Sequence, residues 1–185
     1  EFSSFPVTAV KNNAGGWYPK ISSLAVTIGS DSQALNYASF NGYGWYEWQE
    51  NIPFNSKATY KIACRYRQVT DPTTPTTSDK SFYCGWSGIG ANGTSYVNSV
   101  GADTTSSQHY HGASSNVITA GSGFVEKVGY TKGFGSPNGG EAACPSLSSP
   151  CAVHANVRFL RPIFIINYSN GNGIADIDYI RITKQ

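Results

Sequence analysis

The chain has 185 residues, a net charge of +2 and only 13% charged side chains, with its 13 Lys and Arg scattered. That length suits one domain with a real core, and dispersed basic residues exclude a nucleic-acid partner, which needs a basic run to track phosphates. No apolar run reaches the roughly 18 residues that span a bilayer, so membrane insertion is not expected, and 14% aromatic residues argue against disorder.

Gly, Ser, Thr, Asn and Tyr are abundant and Met is absent, a composition of secreted β-rich domains. The chain opens at Glu1 without Met, as expected of a mature form or an excised domain. From the N-terminus, Trp17-Tyr18 follows a Gly-rich turn. Period-2 alternation then predicts strands over residues 21–28, 33–40, 44–52, 59–69, 80–89, 95–100, 124–130, 153–166 and 174–183. No segment keeps a 3.6 period over a dozen residues. Residues 101–123 and 132–152 read as long irregular stretches, the kind that carries function in compact domains. The pattern predicts an all-β, jelly-roll-like antiparallel sandwich, one domain over residues 1–185.

The strand at 44–52 sits in "NGYGWYEWQE", which is crowded with rings. Alternation puts Tyr43, Trp45, Glu47 and Gln49 on one face and Gly44, Tyr46, Trp48 and Glu50 on the other. Glu47 and Glu50 therefore split across the sheet and cannot flank one glycosidic bond as an acid/base pair. One face should enter the core. The other offers rings that stack on a pyranose C–H face beside amides that bond hydroxyls.

Cys64 in "YKIACRYRQV" and Cys84 in "KSFYCGW" fall on consecutive strands folding about Pro75, which predicts a Cys64–Cys84 disulfide. Cys144 and Cys151 bracket "CPSLSSPC" and predict a local second bridge. No C-x-x-C pair exists to make a zinc site, and disulfides imply an oxidising compartment. Gly88–Gly93 matches G-x-G-x-x-G, but strand-like sequence follows where a dinucleotide site needs a helix, so a hairpin turn is expected. His109 and His111 flank Tyr110 and face the same way on an extended segment, which suits a polar or metal site that still lacks a third ligand. Asp176 and Asp178 share a face after the oxygen-rich "NGNG", a setting for a structural calcium ion. Asn92-Gly93-Thr94 and Asn167-Tyr168-Ser169 are glycosylation sequons.

"WYEWQENIPFNSKATYKIACRYRQV" and the closing "IADIDYIRIT" resemble carbohydrate-binding-module-like jelly rolls. The middle of the chain, with "GWSGIGANGTSYVNSV" and "HANVRFLRPIFIINYSNGNGIADIDY", is similar to accessory domains of phage tail fibres and tailspikes and of secreted bacterial glycan-active proteins. The resemblance implies a non-catalytic, glycan-recognising or virion-surface module, often with a structural calcium. The expected ligand residues are Trp17, Tyr43, Trp45, Trp48, Gln49, His109, Tyr110, His111, Asn170 and Asn172, with Asp176 and Asp178 for the cation. Two rival readings stand beside it. One is a self-assembling fibre or coat subunit that forms homo-oligomers through the same aromatics. The other is a polysaccharide lyase or hydrolase using the His109–His111 segment or Glu47.

Overall fold

The computed structural model describes residues 16–21, 24–32, 36–73, 78–98, 100–104, 107–135, 143–169 and 171–185. Among the described residues the regular elements are strands, apart from one 3-10 turn at Ser78–Lys80. In chain order they are β1 (Trp17–Pro19), β2 (Val26–Ser30), β3 (Asn36–Asn41), β4 (Gly44–Trp48), β5 (Ile52–Pro53), β6 (Tyr60–Thr70) and β7 (Ser81–Ile89). There follow β8 (Tyr96–Val97), β9 (Asp103–Thr104), β10 (His109–Val117), β11 (Val125–Phe134), β12 (Cys151–Val153), β13 (Phe159–Ile166) and β14 (Ile174–Lys184).

The strands form two facing sheets. The first runs β1-β4-β13-β7-β8-β9, with β10 also pairing β7 and β5 pairing β13. The second runs β12-β11-β6-β14-β3-β2. All pairs are antiparallel except β11 with β12. The all-β sandwich is as the alternation expects.

Sequence explains the central strands. In β6, Tyr60, Ile62, Cys64 and Tyr66 turn into the core, while Lys61, Arg65 and Arg67 stay half-buried on the other face. In β13, the unbroken apolar run from Ile163 to Ile166 is buried on both faces, as its character demands. In β14 simple alternation would place Ile177 opposite Ile180 and Ile182. A register shift between Ile177 and Tyr179 changes the phase. Ile180 and Ile182 therefore continue the core side begun by Ile177, and Tyr179 and Arg181 turn outward.

Cys64 and Cys84 form a disulfide with Cα atoms 6.8 Å apart. Their strands are consecutive, but β6 and β7 lie in different sheets, so the bridge crosses the core rather than a hairpin. Trp86 on β7 is fully buried beside it and donates its indole N–H to Thr131 Oγ1 of β11, 3.0 Å away. Cys144 and Cys151 form the second disulfide. Cys144 also joins the sheets along one side: its N–H donates to the His111 carbonyl of β10 (2.8 Å), and its own carbonyl accepts the Tyr130 N–H of β11 (2.9 Å).

The largest departure from the sequence reading is β10, which forms inside the stretch expected to be irregular. Its "HYHGASSNV" is polar and small, so hydrophobic alternation does not reveal it. Backbone proximity does. A Cβ on Gly85 of β7 would overlap the His109 carbonyl, and one on Gly129 of β11 would overlap the His111 carbonyl. Only glycines let β10 lie this close to both neighbours. The strand read over 153–166 instead breaks into β12 and β13 around a turn closed by the Val157 N–H on the His154 carbonyl, 3.0 Å. The Gly88–Gly93 motif ends β7 and enters a tight turn, with the Gly93 N–H on the Gly90 carbonyl (3.1 Å), as a hairpin reading expects.

Candidate functional site: a tyrosine cleft

The outward face of the first sheet carries a belt of rings. Register places Trp45 of β4, Ile165 of β13 and Tyr83 of β7 in one row. Tyr83 must face away from the core because Cys84, its neighbour, faces into it. Close packing of β10 over Gly85 then brings the Tyr110 ring to 4.7 Å from that of Tyr83. Tyr168, just past β13, approaches Tyr83 edge-on at 5.2 Å, and Tyr43, just before β4, meets Tyr168 at 6.0 Å. Tyr83, Tyr110, Tyr168, Ser114 and Ser115 line a cleft of about 330 Å³, the small end of ligand pockets. The Tyr83 hydroxyl and Ser115 Oγ share a hydrogen bond of 2.8 Å.

The rim of the cleft is conformationally strained. Ser115 (φ 49°), Asn167 (φ 47°) and Ser169 (φ 68°) are the non-glycine residues with left-handed backbone among those described; Ser115 lines the cleft and the other two adjoin its Tyr168 in sequence. Ser115 sits where β10 slips register against β7. Asn167 and Ser169 flank Tyr168. The Asn167 side chain is buried and anchors the turn: Nδ2 donates to the carbonyls of Gly42 (3.0 Å) and Gly173 (2.8 Å), and Oδ1 accepts from Gln68 Nε2 (2.8 Å). The turn thereby holds Tyr168 39% exposed. Strain of this kind costs about 1–3 kcal/mol per residue and concentrates at functional sites. Burial, and then the neighbouring Tyr168, raises the Tyr43 hydroxyl above its ordinary pKa, so it is a neutral group at pH 7.

The expected site residues separate into three places. Tyr43, Trp45 and Tyr110 share the outward face just described. Trp17 and Trp48 lie on the inward face at the β1–β4 edge, ring centroids 5.5 Å apart. They line a second groove of about 320 Å³ with Glu50, Ile52, Pro162, Ile180 and Ile182. Gln49, His109 and His111 are buried. Burial holds His109 at a pKa of about 4; burial and then His109 hold His111 at about 3. His111 Nδ1 shares a hydrogen bond with Thr131 Oγ1 (2.6 Å), and His109 Nε2 lies 3.3 Å from Ser107 Oγ. The third group near His111 is the disulfide sulfur pair of Cys144 and Cys151, which offers no thiolate.

Asn170 lies outside the described residues. Asn172 is exposed and bonded to Thr73 through Nδ2 (2.9 Å) and Oδ1 (2.8 Å). Asp176 Oδ2 accepts from Arg67 at 2.8 Å, and Asp178 pairs with Arg65. A guanidinium neutralises one oxygen of each carboxylate, while the other oxygen, Oδ1 of both Asp176 and Asp178, is buried without a hydrogen-bond partner. Glu47 is buried at the centre of a polar cluster: Ser87 Oγ (2.5 Å) and Tyr96 OH (2.6 Å) donate to it. Burial and then Glu47 raise the Tyr96 hydroxyl, while burial lowers the Lys20 amine that donates to it at 2.9 Å. Sequence reasoning missed Tyr83 and Tyr168. The alternation about Cys84 would have found the first, and a lone ring inside the Asn-rich turn after β13 would have found the second.

No protein-family model matches this chain, and no curated protein matches it in sequence. The fold has a full-length counterpart. A candidate sugar binding protein from Bacteroides thetaiotaomicron VPI-5482 superposes with a TM-score of 0.56 at 12% identity, covering 100% of this chain and 96% of that one. At that identity the likeness shows a shared fold. The enzymatically active domain of tailspike protein 4 from bacteriophage CBA120 gives a TM-score of 0.49 at 11% identity, over 95% of this chain. An arabinose-bound GH51 α-L-arabinofuranosidase gives 0.43 at 13% identity, over 91% of this chain. The chain spans 20% and 23% of those two chains.

Proposed function

We propose that this domain binds glycans without catalysis, through the cleft between Tyr83, Tyr110 and Tyr168, as part of an extracellular or virion-surface protein. One observation carries the reading: three rings and two serine hydroxyls, contributed by three separate stretches of chain, converge on a concave surface with a strained rim. Rings stack on the C–H face of a pyranose and hydroxyls satisfy its polar edge. The full-length structural counterpart, itself named for sugar binding, supports this choice. Two disulfides fit the oxidising setting of such a protein. A binding role is favoured over the usual two-carboxylate glycoside hydrolysis because the described cleft lining holds no carboxylate. A glycan array probed with the wild-type chain and with Tyr168→Ala tests the reading. Binding that the substitution weakens is expected; binding that ignores it, or none at all, overturns the proposal.

A further inference from the structure

We infer that the cleft selects neutral glycans over polyanionic ones, an inference that rests on the glycan-binding reading above. The described lining is Tyr83, Tyr110, Ser114, Ser115 and Tyr168, five uncharged side chains. Recognition of a uronate or sulfate group needs a cation, above all an arginine that can grip it at two points. The described arginines are committed elsewhere: Arg158 donates to the Ala155 and Val157 carbonyls, and Arg181 lies over the Tyr179 ring on β14. Arg161 is fully buried against Glu47, and Arg65 and Arg67 lie on the second sheet, paired with Asp178 and Asp176. Lys80, near the start of β7, faces Asp71 at 3.4 Å. An anionic sugar entering the cleft would lose hydration without gaining a countercharge, a loss that uncharged rings do not offset. A neutral pyranose loses only hydroxyl hydration, which the Tyr83 and Ser115 hydroxyls, bonded to one another at 2.8 Å, replace with their remaining hydrogen-bonding capacity.

The test is retention of the whole chain on two panels of immobilised polysaccharide. The neutral panel holds glucan, mannan, galactan and xylan; the anionic panel holds alginate, polygalacturonate and heparin. Each is run at low and at high sodium chloride, with wild type, Tyr168→Ala and Tyr83→Phe. Screening weakens charge-driven binding steeply and leaves stacking untouched. The expected result is retention on at least one neutral polymer, changed less than about twofold by salt and weakened about tenfold by Tyr168→Ala, the size of an aromatic contact plus its burial. Tyr83→Phe removes a hydroxyl but keeps the ring and the fold, so a smaller loss there places the polar contact. Salt-sensitive retention on anionic polymers alone, still lost in Tyr168→Ala, overturns neutral selectivity and leaves the cleft as the site. Retention indifferent to both substitutions, or none on either panel, overturns the cleft itself.

Discussion

Glu47 and Arg161 face each other at 3.4 Å, and both side chains are 0% exposed. They sit on neighbouring strands of the first sheet, one on β4 and one on β13. Arg161 is held further by Asn51 Oδ1 (2.7 Å) and the Gly93 carbonyl (3.0 Å), so the pair also clamps the turn after β7. Removing one member of such a pair strands a buried charge. Arg161→Met is expected to cost about 3–5 kcal/mol. Glu47→Leu combined with Arg161→Met should be more stable than Arg161→Met alone, because the Glu47 carboxylate is no longer left buried without its guanidinium. Urea denaturation of the two variants checks this, and equal losses would contradict it.

Gly85 controls whether the cleft exists. A methyl group there would collide with the His109 carbonyl and the Tyr110 backbone. Gly85→Ala should push β10 off β7, destabilising by about 1–3 kcal/mol as overpacking does. It should also abolish glycan retention, since Tyr110, Ser114 and Ser115 all travel on β10. Gly123→Ala, where a side chain meets open space and the backbone is not left-handed, is a control that keeps retention. Denaturation midpoints and retention measured together separate the two effects.

The buried histidines make the fold sensitive to acid. His109 and His111 are held at about 4 and about 3, below the ordinary 6.5 that they regain on unfolding. Between those values the unfolded chain binds protons that the folded chain refuses, so their contribution is complete above about pH 6.5 and lost as pH falls toward about 3. The urea midpoint should drop between pH 7 and 5. It should drop less in His109→Asn/His111→Gln, whose replacements do not titrate.

Only one of the two sequons is open to modification. Asn92 is exposed in the turn after β7. Asn167 is 2% exposed and spends both amide hydrogens on backbone carbonyls. Secreted from a eukaryotic host, the folded chain should carry glycan at Asn92 and none at Asn167. Peptide mass spectrometry after enzymatic deglycosylation distinguishes the sites.

Period-2 alternation revealed the strands whose faces differ in polarity, such as β6, and the unbroken apolar run revealed β13. It missed β10 because Gly112, Ala113, Ser114 and Ser115 offer no contrast between faces; that strand is defined by what lies across from it. The disulfide pairs were legible from spacing, yet the sheet change between β6 and β7 was not, because alternation fixes faces and not partners. In the candidate site, Tyr43, Trp45 and Tyr110 were found from local pattern. They were grouped with Trp17 and Trp48, which the strand pairing sends to the other side of the sheet. Tyr168 lay beyond that method, since its position depends on the left-handed turn at Asn167 and Ser169.

Cys144 gains a further meaning once sheet edges are considered as hazards. An unpaired edge is a template for another chain, and sandwiches must guard it. On this side of the molecule a single residue bonds to two strands together, its N–H on the open side of β10 and its carbonyl on the part of β11 that precedes its pairing with β12. The disulfide to Cys151 ties that residue to β12, so the plug is covalently retained. Opening the Cys144–Cys151 bond would therefore do more than loosen the loop between them: it would remove the tether on the residue that covers β10 and β11, turning a local reduction into a route to aggregation.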